Sequence, residues 1–319
     1  MRNLTIVMYH YVRDMSLREN RGLKALELSL FSDQLDYLAD RYTPVSVEDV
    51  IEAVDQKTAL PSDACLLTFD DGYLDHFSNV FPLLKRKGIT GAFYSPFHSV
   101  ENRVLLDVNK IHFLLARNDD HDLLVKRLLE ALAPLRRENS LESDTHFLEE
   151  YCHKNRFDEA NTAFIKRMLQ FVLPEAIRNK ITDDLFRQLV SEDEREFADS
   201  LYMTMEQLAS MREAGMHIGS HGYRHEWLGR LDPQEQEREI RRSVECLDAI
   251  GADKTMRTIC YPYGDFNDSL LAILAPHGFR LGMATIARRA DLDTDAPLTL
   301  PRIDTNDITR EMNQPEKDV

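Results

Sequence analysis

The run Ala64-Cys65-Leu66-Leu67-Thr68-Phe69 constrains this chain most, because it is apolar almost without a break and stops abruptly at Asp70-Asp71-Gly72. A strand with one wet face alternates apolar and polar residues, whereas a strand covered on both faces does not. The same grammar recurs along the chain. Leu4 to Tyr9, Gly91 to Pro96, Met216 to His221, Thr258 to Tyr261 and Arg280 to Thr285 all read as short buried strands. Helical patterns separate them. Leu28 to Arg41 places Phe31, Leu35 and Leu38 on one face, and Val47 to Val54 follows Ser46 as N-cap. Phe77 to Lys87 is closed by Gly88, and Thr204 with Gln207 forms a capping box for a helix that ends at Gly215. Asp232 with Pro233 opens a helix that runs toward Gly251, and Ser269 to His277 forms the last of the series. Apolar strands alternating with helices predict a parallel sheet with helices packed on it.

The rhythm stops between about residues 101 and 200, where amphipathic helix signals stand almost alone. Leu123, Leu124, Leu128, Leu129 and Leu132 share a face, as do Phe164, Ile165, Met168, Leu169 and Val172. No glycine lies between Gly91 and Gly215, so the segment reads as a helical insertion rather than a linker. The expected organisation is an α/β domain in two pieces, 1–100 and 201–313, a helical insertion at 101–200 and a polar tail at 314–319. A length of 319 residues suits that division, at about 150 residues per domain.

Composition removes several classes of function. At 43% hydrophobic and 29% charged, the chain has the make-up of an ordinary globular protein. A formal charge of −16 with no concentrated basic patch argues against nucleic acid as a partner. No run approaches the roughly 18 apolar residues of a membrane span. Cys65, Cys152, Cys246 and Cys260 are scattered with no CxxC pair, which suits free thiols in a reducing compartment. With no signal-peptide pattern at the N-terminus, the cytoplasm is the expected location.

Three polar clusters follow predicted strands. Asp70-Asp71-Gly72 sets two carboxylates at the end of a buried strand, which is costly unless a cation or a proton separates their fates. One could bind a metal and leave the other free as a base, yet the tripeptide is also ordinary turn chemistry. His221 and His225 stand four apart and could ligate one divalent ion, or lie as two histidines on a loop. The residue after His221 is not Glu, so the HExxH protease pattern fails. Tyr261-Pro262-Tyr263-Gly264 could wall a pocket and aim a backbone N–H at an oxyanion, or be a turn. Taken jointly, one Asp and two His make a three-ligand set that leaves positions open for water, as a catalytic zinc requires. All three clusters follow predicted parallel strands, on the edge where barrel and open α/β active sites gather.

The order Thr68-Phe69-Asp70-Asp71-Gly72-Tyr73, then His221-x-x-x-His225, then Tyr261-Pro262-Tyr263-Gly264 resembles the polysaccharide deacetylase family, also called the NodB-homology domain or carbohydrate esterase family 4. Met8-Tyr9-His10-Tyr11-Val12 and Leu300-Pro301-Arg302-Ile303 are similar to a branch of it. The resemblance covers roughly residues 4–98 and 203–305. It implies a distorted (β/α) barrel of the NodB-homology type with the helical insertion between the first two motifs. It also implies hydrolysis of an N-acetyl group on an amino sugar or glycoconjugate. Asp70 would be the general base for the attacking water. Asp71, His221 and His225 would hold a divalent metal, usually zinc, and the Tyr263 backbone N–H would help stabilise the tetrahedral oxyanion.

Two departures are specific to this chain. Many members carry Arg two residues before the proline of the third motif, where this chain has Cys260, and that Arg orients the base. Arg302 is the candidate substitute. The late Leu-x-His motif that supplies a general acid has no counterpart, and His10, at the end of the first strand, is the candidate for acid or substrate contact. His277 reads as a helix C-terminal charge. Two other functions stay open: an amidase of the same superfamily on a non-sugar C–N bond, and a glycan- or partner-binding protein on the same barrel. The insertion offers a surface for self-association or for a biosynthetic partner, and a cytoplasmic location would favour lipid-linked or nucleotide-linked sugars over finished polymer.

Overall fold

The structure is a computed structural model, and it describes residues 2–155 and 158–314. The tail expected at 314–319 lies, beyond Gln314, outside the described residues. Two compact units emerge: Met1–Met15, Ala25–Arg103 and Asp199–Val319 form one, and Ser16–Lys24 with Val104–Ala198 form the other.

The first unit is α/β, a distorted barrel built on a curled sheet. Its strands lie in the order Ala290–Asp291, Asn3–Tyr9, Ala64–Phe69, Ala92–Ser95, His217–Ser220, Arg257–Cys260 and Phe279–Met283. All pairs after the first are parallel, in registers such as Tyr9↔Phe69, Phe69↔Phe93, Ser95↔Ser220 and Cys260↔Met283. Parallel registers of this kind align the C-terminal ends of the strands, so residues that follow them share one edge. Between them the chain runs through helices including Leu28–Arg41, Val47–Gln56, Met205–Glu213 and Pro233–Ala249. Ser46, Thr204 and Asp232 cap three of these with side-chain oxygens, as their sequences predict.

Burial explains the unbroken apolar runs. Every residue of Ala64–Phe69 is buried. Cys65, Leu67 and Phe69 pack with Phe31, Leu35 and Leu38 of the helix Leu28–Arg41, while Ala64 and Leu66 join Leu4, Ile6, Tyr94, Cys260 and Met283 in a second cluster. Alternation therefore puts Leu66, Thr68 and Asp70 on one face, and Leu4, Ile6, Met8 and His10 on the matching face of the neighbouring strand. On the other face, Phe69 stacks between Tyr9 at 5.0 Å and Phe93 at 4.8 Å. Such aromatic pairs contribute about 0.5–1.5 kcal/mol each and fix the strand ends that carry the site.

The sheet's two ends meet through a segment with little strand signal of its own. Leu300 N donates to Gly282 O at 2.8 Å, and Ile303–Asp304 pairs in parallel with Val7–Met8. Arg302 lies on this closing segment.

The second unit is helical, with Asp107–Arg117, His121–Arg136, Asp144–Tyr151, Ala160–Arg167 and Glu175–Leu189 as its main helices. Ile111, Leu128, Phe164, Met168 and Ile181 lie in its core. Ser16–Lys24, a segment far upstream in the chain, belongs to this unit, with Lys24 paired to Asp158 at 2.8 Å. Among the described residues no helix is long and apolar enough to cross a membrane.

Candidate metal centre

Asp70 and Asp71 follow directly on the strand Ala64–Phe69, and the turn they enter is forced by backbone conformation. Asp71 has φ +77° and Gly72 φ +65°. A Cβ at Gly72 would also stand 2.3 Å from Ser95 Oγ, so the glycine of the motif is required twice over. The turn points the two carboxylates to different partners.

Asp70 meets a guanidinium. Arg302 Nη1 donates to Asp70 Oδ1 at 3.0 Å, and Arg302 Nη2 stands 2.8 Å from Oδ2. Both side chains are buried, at 0% and 1% exposure. Arg302 is fixed in turn by Ala284 O at 3.1 Å, Thr68 Oγ1 at 3.2 Å and Cys260 Sγ at 3.1 Å. Burial alone would raise the Asp70 pKa, but Arg302 and then His221, with a smaller share from His10, outweigh it and hold the carboxyl down at about 2. Burial pushes the Cys260 thiol well up, so it faces Arg302 as a neutral group. The guanidinium thus arrives beside residue 260 from the closing segment instead of from the strand that carries it.

Asp71 meets two imidazoles. His221 follows the strand His217–Ser220, and both His221 Nε2 and His225 Nε2 lie 3.3 Å from Asp71 Oδ1. Asp71 Oδ2 accepts from Tyr73 at 2.6 Å, while Oδ1 has no hydrogen-bond partner among the described residues. His221 Nδ1 lies 2.8 Å from Cys260 O, and since a carbonyl only accepts, Nδ1 carries the proton and Nε2 presents its lone pair to the centre. Burial raises the Asp71 pKa, but the two imidazoles of His221 and His225 beside it overcome this and leave it well below the ordinary carboxylate range. For His221 burial acts downward and is outweighed by Asp70 and Asp71, so its pKa is raised; for His225 burial prevails and the pKa is lowered.

These atoms fit a divalent ion. Ligands bound at about 2.0–2.1 Å in a tetrahedral shell stand about 3.4 Å apart. The 3.3 Å separations, the acceptor left over on Asp71 and the fixed tautomer of His221 meet that requirement. Asp71, His221 and His225 all lie in the interior, with ligand atoms within 4.8 Å of one another.

Tyr263 sits after the strand Arg257–Cys260 at φ +59°, and its ring meets His225 edge-on at 4.8 Å. Gly264 follows at φ +71°, where a Cβ would collide with Thr285 Oγ1. Asp71, His225 and Tyr263 are thus all held in the left-handed region, a conformation that costs non-glycine residues energy and gathers at functional sites. His10 follows the strand Asn3–Tyr9, and its charge lowers the pKa of both Asp70 and Asp71. Its carbonyl accepts from buried His76 Nε2 at 2.9 Å. His277 lies elsewhere, at 2.7 Å from Glu237.

Two contributors carry little sequence signal. Glu239 is buried on the helix Pro233–Ala249, and its Oε2 accepts from Tyr223 N at 3.0 Å and Arg224 N at 2.9 Å. It thereby holds the loop between the two histidines. It lies within Gln-Glu-Gln-Glu-Arg-Glu, where only the spacing Gln236, Glu239, Ser243 hints at a buried polar stripe. Trp227 stacks on Tyr263 at 4.1 Å with 6° between planes. A separate cavity of about 430 Å³ lies at the opposite ends of the strands, beside Glu48, Arg212, His217 and Arg257, and no candidate residue lines it.

Known proteins resemble the chain over different spans. The family described as polysaccharide deacetylase matches residues 167–282, which include the His221/His225 and Tyr261–Gly264 clusters but not Asp70-Asp71. Protein YxkH of Bacillus subtilis (strain 168), named for the same family, is 32% identical over 92 residues, 29% of this chain and 33% of its own. The poly-beta-1,6-N-acetyl-D-glucosamine N-deacetylase of Escherichia coli (strain K12) is 32% identical over 80 residues, 25% of this chain and 12% of its own. The chain therefore spans a third or less of these curated relatives. Among solved structures, the Streptococcus pyogenes deacetylase PplD, in complex with acetate, superposes with a TM-score of 0.60 at 19% identity, covering 98% of this chain and 99% of that one. IcaB from Ammonifex degensii gives 0.55 at 19% identity, covering 95% and 91%. At these identities the structures speak for the fold.

Proposed function

We propose, from the match of residues 167–282 to the polysaccharide deacetylase family and from its relatives of that name, that the chain is a member of that family and a metal-dependent hydrolase that removes N-acetyl groups from an amino sugar or glycoconjugate. One observation carries the reading: Asp71 Oδ1 stands 3.3 Å from each of two imidazole Nε2 atoms, beside a second aspartate clamped by a buried arginine. A binding protein has no use for a second, arginine-held carboxylate next to three candidate metal ligands.

Asp71, His221 and His225 would hold the ion, and one carboxylate with two imidazoles favours zinc. Such an ion supplies a lowered water pKa and polarises the acetyl carbonyl. Asp70 accepts the proton of the attacking water, and Arg302 keeps that carboxylate ionised and oriented, in place of the arginine absent at residue 260. The Tyr263 backbone N–H stabilises the negative charge that develops on the acetyl carbonyl oxygen as water adds to its carbon. His10 hands a proton to the departing amine as the C–N bond breaks, leaving acetate and a free amino sugar. The helical unit is an insertion into this scaffold at 101–200, and the four free cysteines support a reducing compartment. The name of the Escherichia coli relative makes β-1,6-linked N-acetylglucosamine the first substrate to try.

The test is acetate release from N-acetylated oligosaccharides and nucleotide sugars by zinc- or cobalt-loaded protein, with and without chelator. Chelator-sensitive acetate that vanishes in Asp70→Asn supports the reading. Metal binding with no acetate from any of them turns it toward a non-sugar amide, and absence of both toward a binding protein.

A further inference from the structure

The two imidazoles of the metal centre are held by different means. A metal-ligating histidine usually donates its second ring N–H to an acceptor, which fixes both tautomer and ring rotation. His221 does so through Nδ1 and Cys260 O. His225 does not: its Nδ1 is buried with no hydrogen-bond partner among the described residues, and its backbone is left-handed at φ +61°. Its ring orientation must come from packing.

The packing is a continuous aromatic stack. The His225 ring meets His221 at 4.9 Å and 69° on one side and Tyr263 at 4.8 Å and 77° on the other. Tyr263 is backed by Trp227, parallel within 6° at 4.1 Å, and the Arg230 guanidinium covers Trp227 at 4.3 Å. Trp227 lies two residues beyond His225, so the loop turns back and braces its own ligand through a residue from another strand end. Edge-to-face and offset-parallel contacts are directional, because the ring quadrupole is positive at the edge and negative on the face. The same stack presses on Tyr263, whose backbone N–H is the donor proposed for the oxyanion.

We propose that Trp227 is a positioning residue of the metal centre, orienting His225 through Tyr263 in place of the missing outer hydrogen bond. The inference rests on the metal-site reading above. It also gives that reading an internal reporter, since Trp227 is the single tryptophan of the chain.

The experiment strips the full chain with chelator and titrates Zn2+ and Co2+ against a competing chelator. Tryptophan emission is followed in wild type, Tyr263→Leu and Asp71→Asn, and the Co2+ visible spectrum in these and in Trp227→Phe, Trp227→Leu and the Trp227→Leu/Tyr263→Leu double variant, which hold no tryptophan. In wild type, emission should change saturably with one ion per chain. Trp227→Leu should weaken metal affinity about tenfold or more, the range seen for lost outer-shell partners, and alter the Co2+ spectrum. Trp227→Phe should stay near wild type because a stacked ring remains. The double variant should be little worse than either single one, because both break one stack. Wild-type affinity and spectrum in Trp227→Leu, or fully additive losses in the double variant, would overturn the proposal. A rise in KM for acetylated sugar with metal affinity unchanged would overturn it too, making Trp227 a substrate wall. Retained metal binding in Asp71→Asn would strike at the metal-site reading itself, independently of Trp227.

Discussion

Asp70 and Asp71 are neighbours in the chain, yet the two sides of the site they create are opposites. On the Asp70 side both carboxylate oxygens face one protein cation. A buried guanidinium faces both oxygens, and that guanidinium is itself held by Ala284, Thr68 and Cys260. On the Asp71 side one oxygen is satisfied by Tyr73 and the other faces two imidazoles, with no hydrogen bond of its own among the described residues. The first carboxylate is matched by a cation of the protein itself, and the second turns an acceptor toward two imidazoles, as the proposed metal site requires. A left-handed turn at Asp71 is enough to send adjacent, chemically identical side chains into such different surroundings. In the proposed mechanism, environment rather than residue type then makes one the base and the other the ligand.

That contrast breaks most visibly at Asp71. Asp71→Asn should abolish metal binding and lower acetate release on the order of a thousandfold or more, since the water loses its activating cation. Titration with Co2+ alongside the activity assay checks both together. Asp70→Asn should separate the two sides: metal affinity stays near wild type while turnover falls about 10²- to 10⁴-fold, the usual share of a general base. Near-normal turnover in that variant would remove Asp70 from the mechanism.

Arg302→Met tests what the guanidinium does on the Asp70 side. Removing one partner of a buried pair costs roughly 3–5 kcal/mol, so urea unfolding should show a large loss of stability. Burial would then govern the carboxyl and raise its pKa, so the acid limb of the pH–rate profile should move to higher pH. A profile that stays in place would show that Arg302 does not tune the base.

A smaller effect concerns acid stability. Asp70 has a folded pKa of about 2 against an ordinary 3.8, so its contribution is fully present above pH 3.8 and is lost as pH falls toward 2. Over that window it amounts to about 2 kcal/mol, at 1.36 kcal/mol per pH unit. Unfolding measured at stepped pH should fall less steeply in Asp70→Asn than in wild type. The smallest effect is expected from Tyr73→Phe, which removes only the hydrogen bond to Asp71 Oδ2 and should weaken metal binding by about tenfold.

Much of the site was legible because strand periodicity and side-chain chemistry are local. Leu66, Thr68 and Asp70 fall on one face by simple alternation, and parallel pairing brings residues after separate strands to one edge. Capping at Ser46, Thr204 and Asp232 was readable for the same reason. Glu239 was not, since nothing local marks one glutamate among several as buried. The aromatic stack was not either, because Trp227 and Tyr263 are brought together by two different strand ends. Nor was the attachment of Ser16–Lys24 to the helical unit, which rests on contacts with residues more than a hundred positions away.

The sequence by itself determined the alternation of strand and helix, the hundred-residue helical stretch, and the residue types that could bind a cation or carry a proton, because each depends on near neighbours and on intrinsic chemistry. Tertiary structure alone decided which aspartate faces the arginine and which faces the imidazoles. It also decided that Arg302 reaches Asp70 through the closing segment, and that His225 is held by packing rather than by a hydrogen bond. Those outcomes depend on long-range closure of the sheet and on left-handed backbone at Asp71, His225 and Tyr263. Only the packed protein can impose such conformations on residues that would not adopt them in isolation.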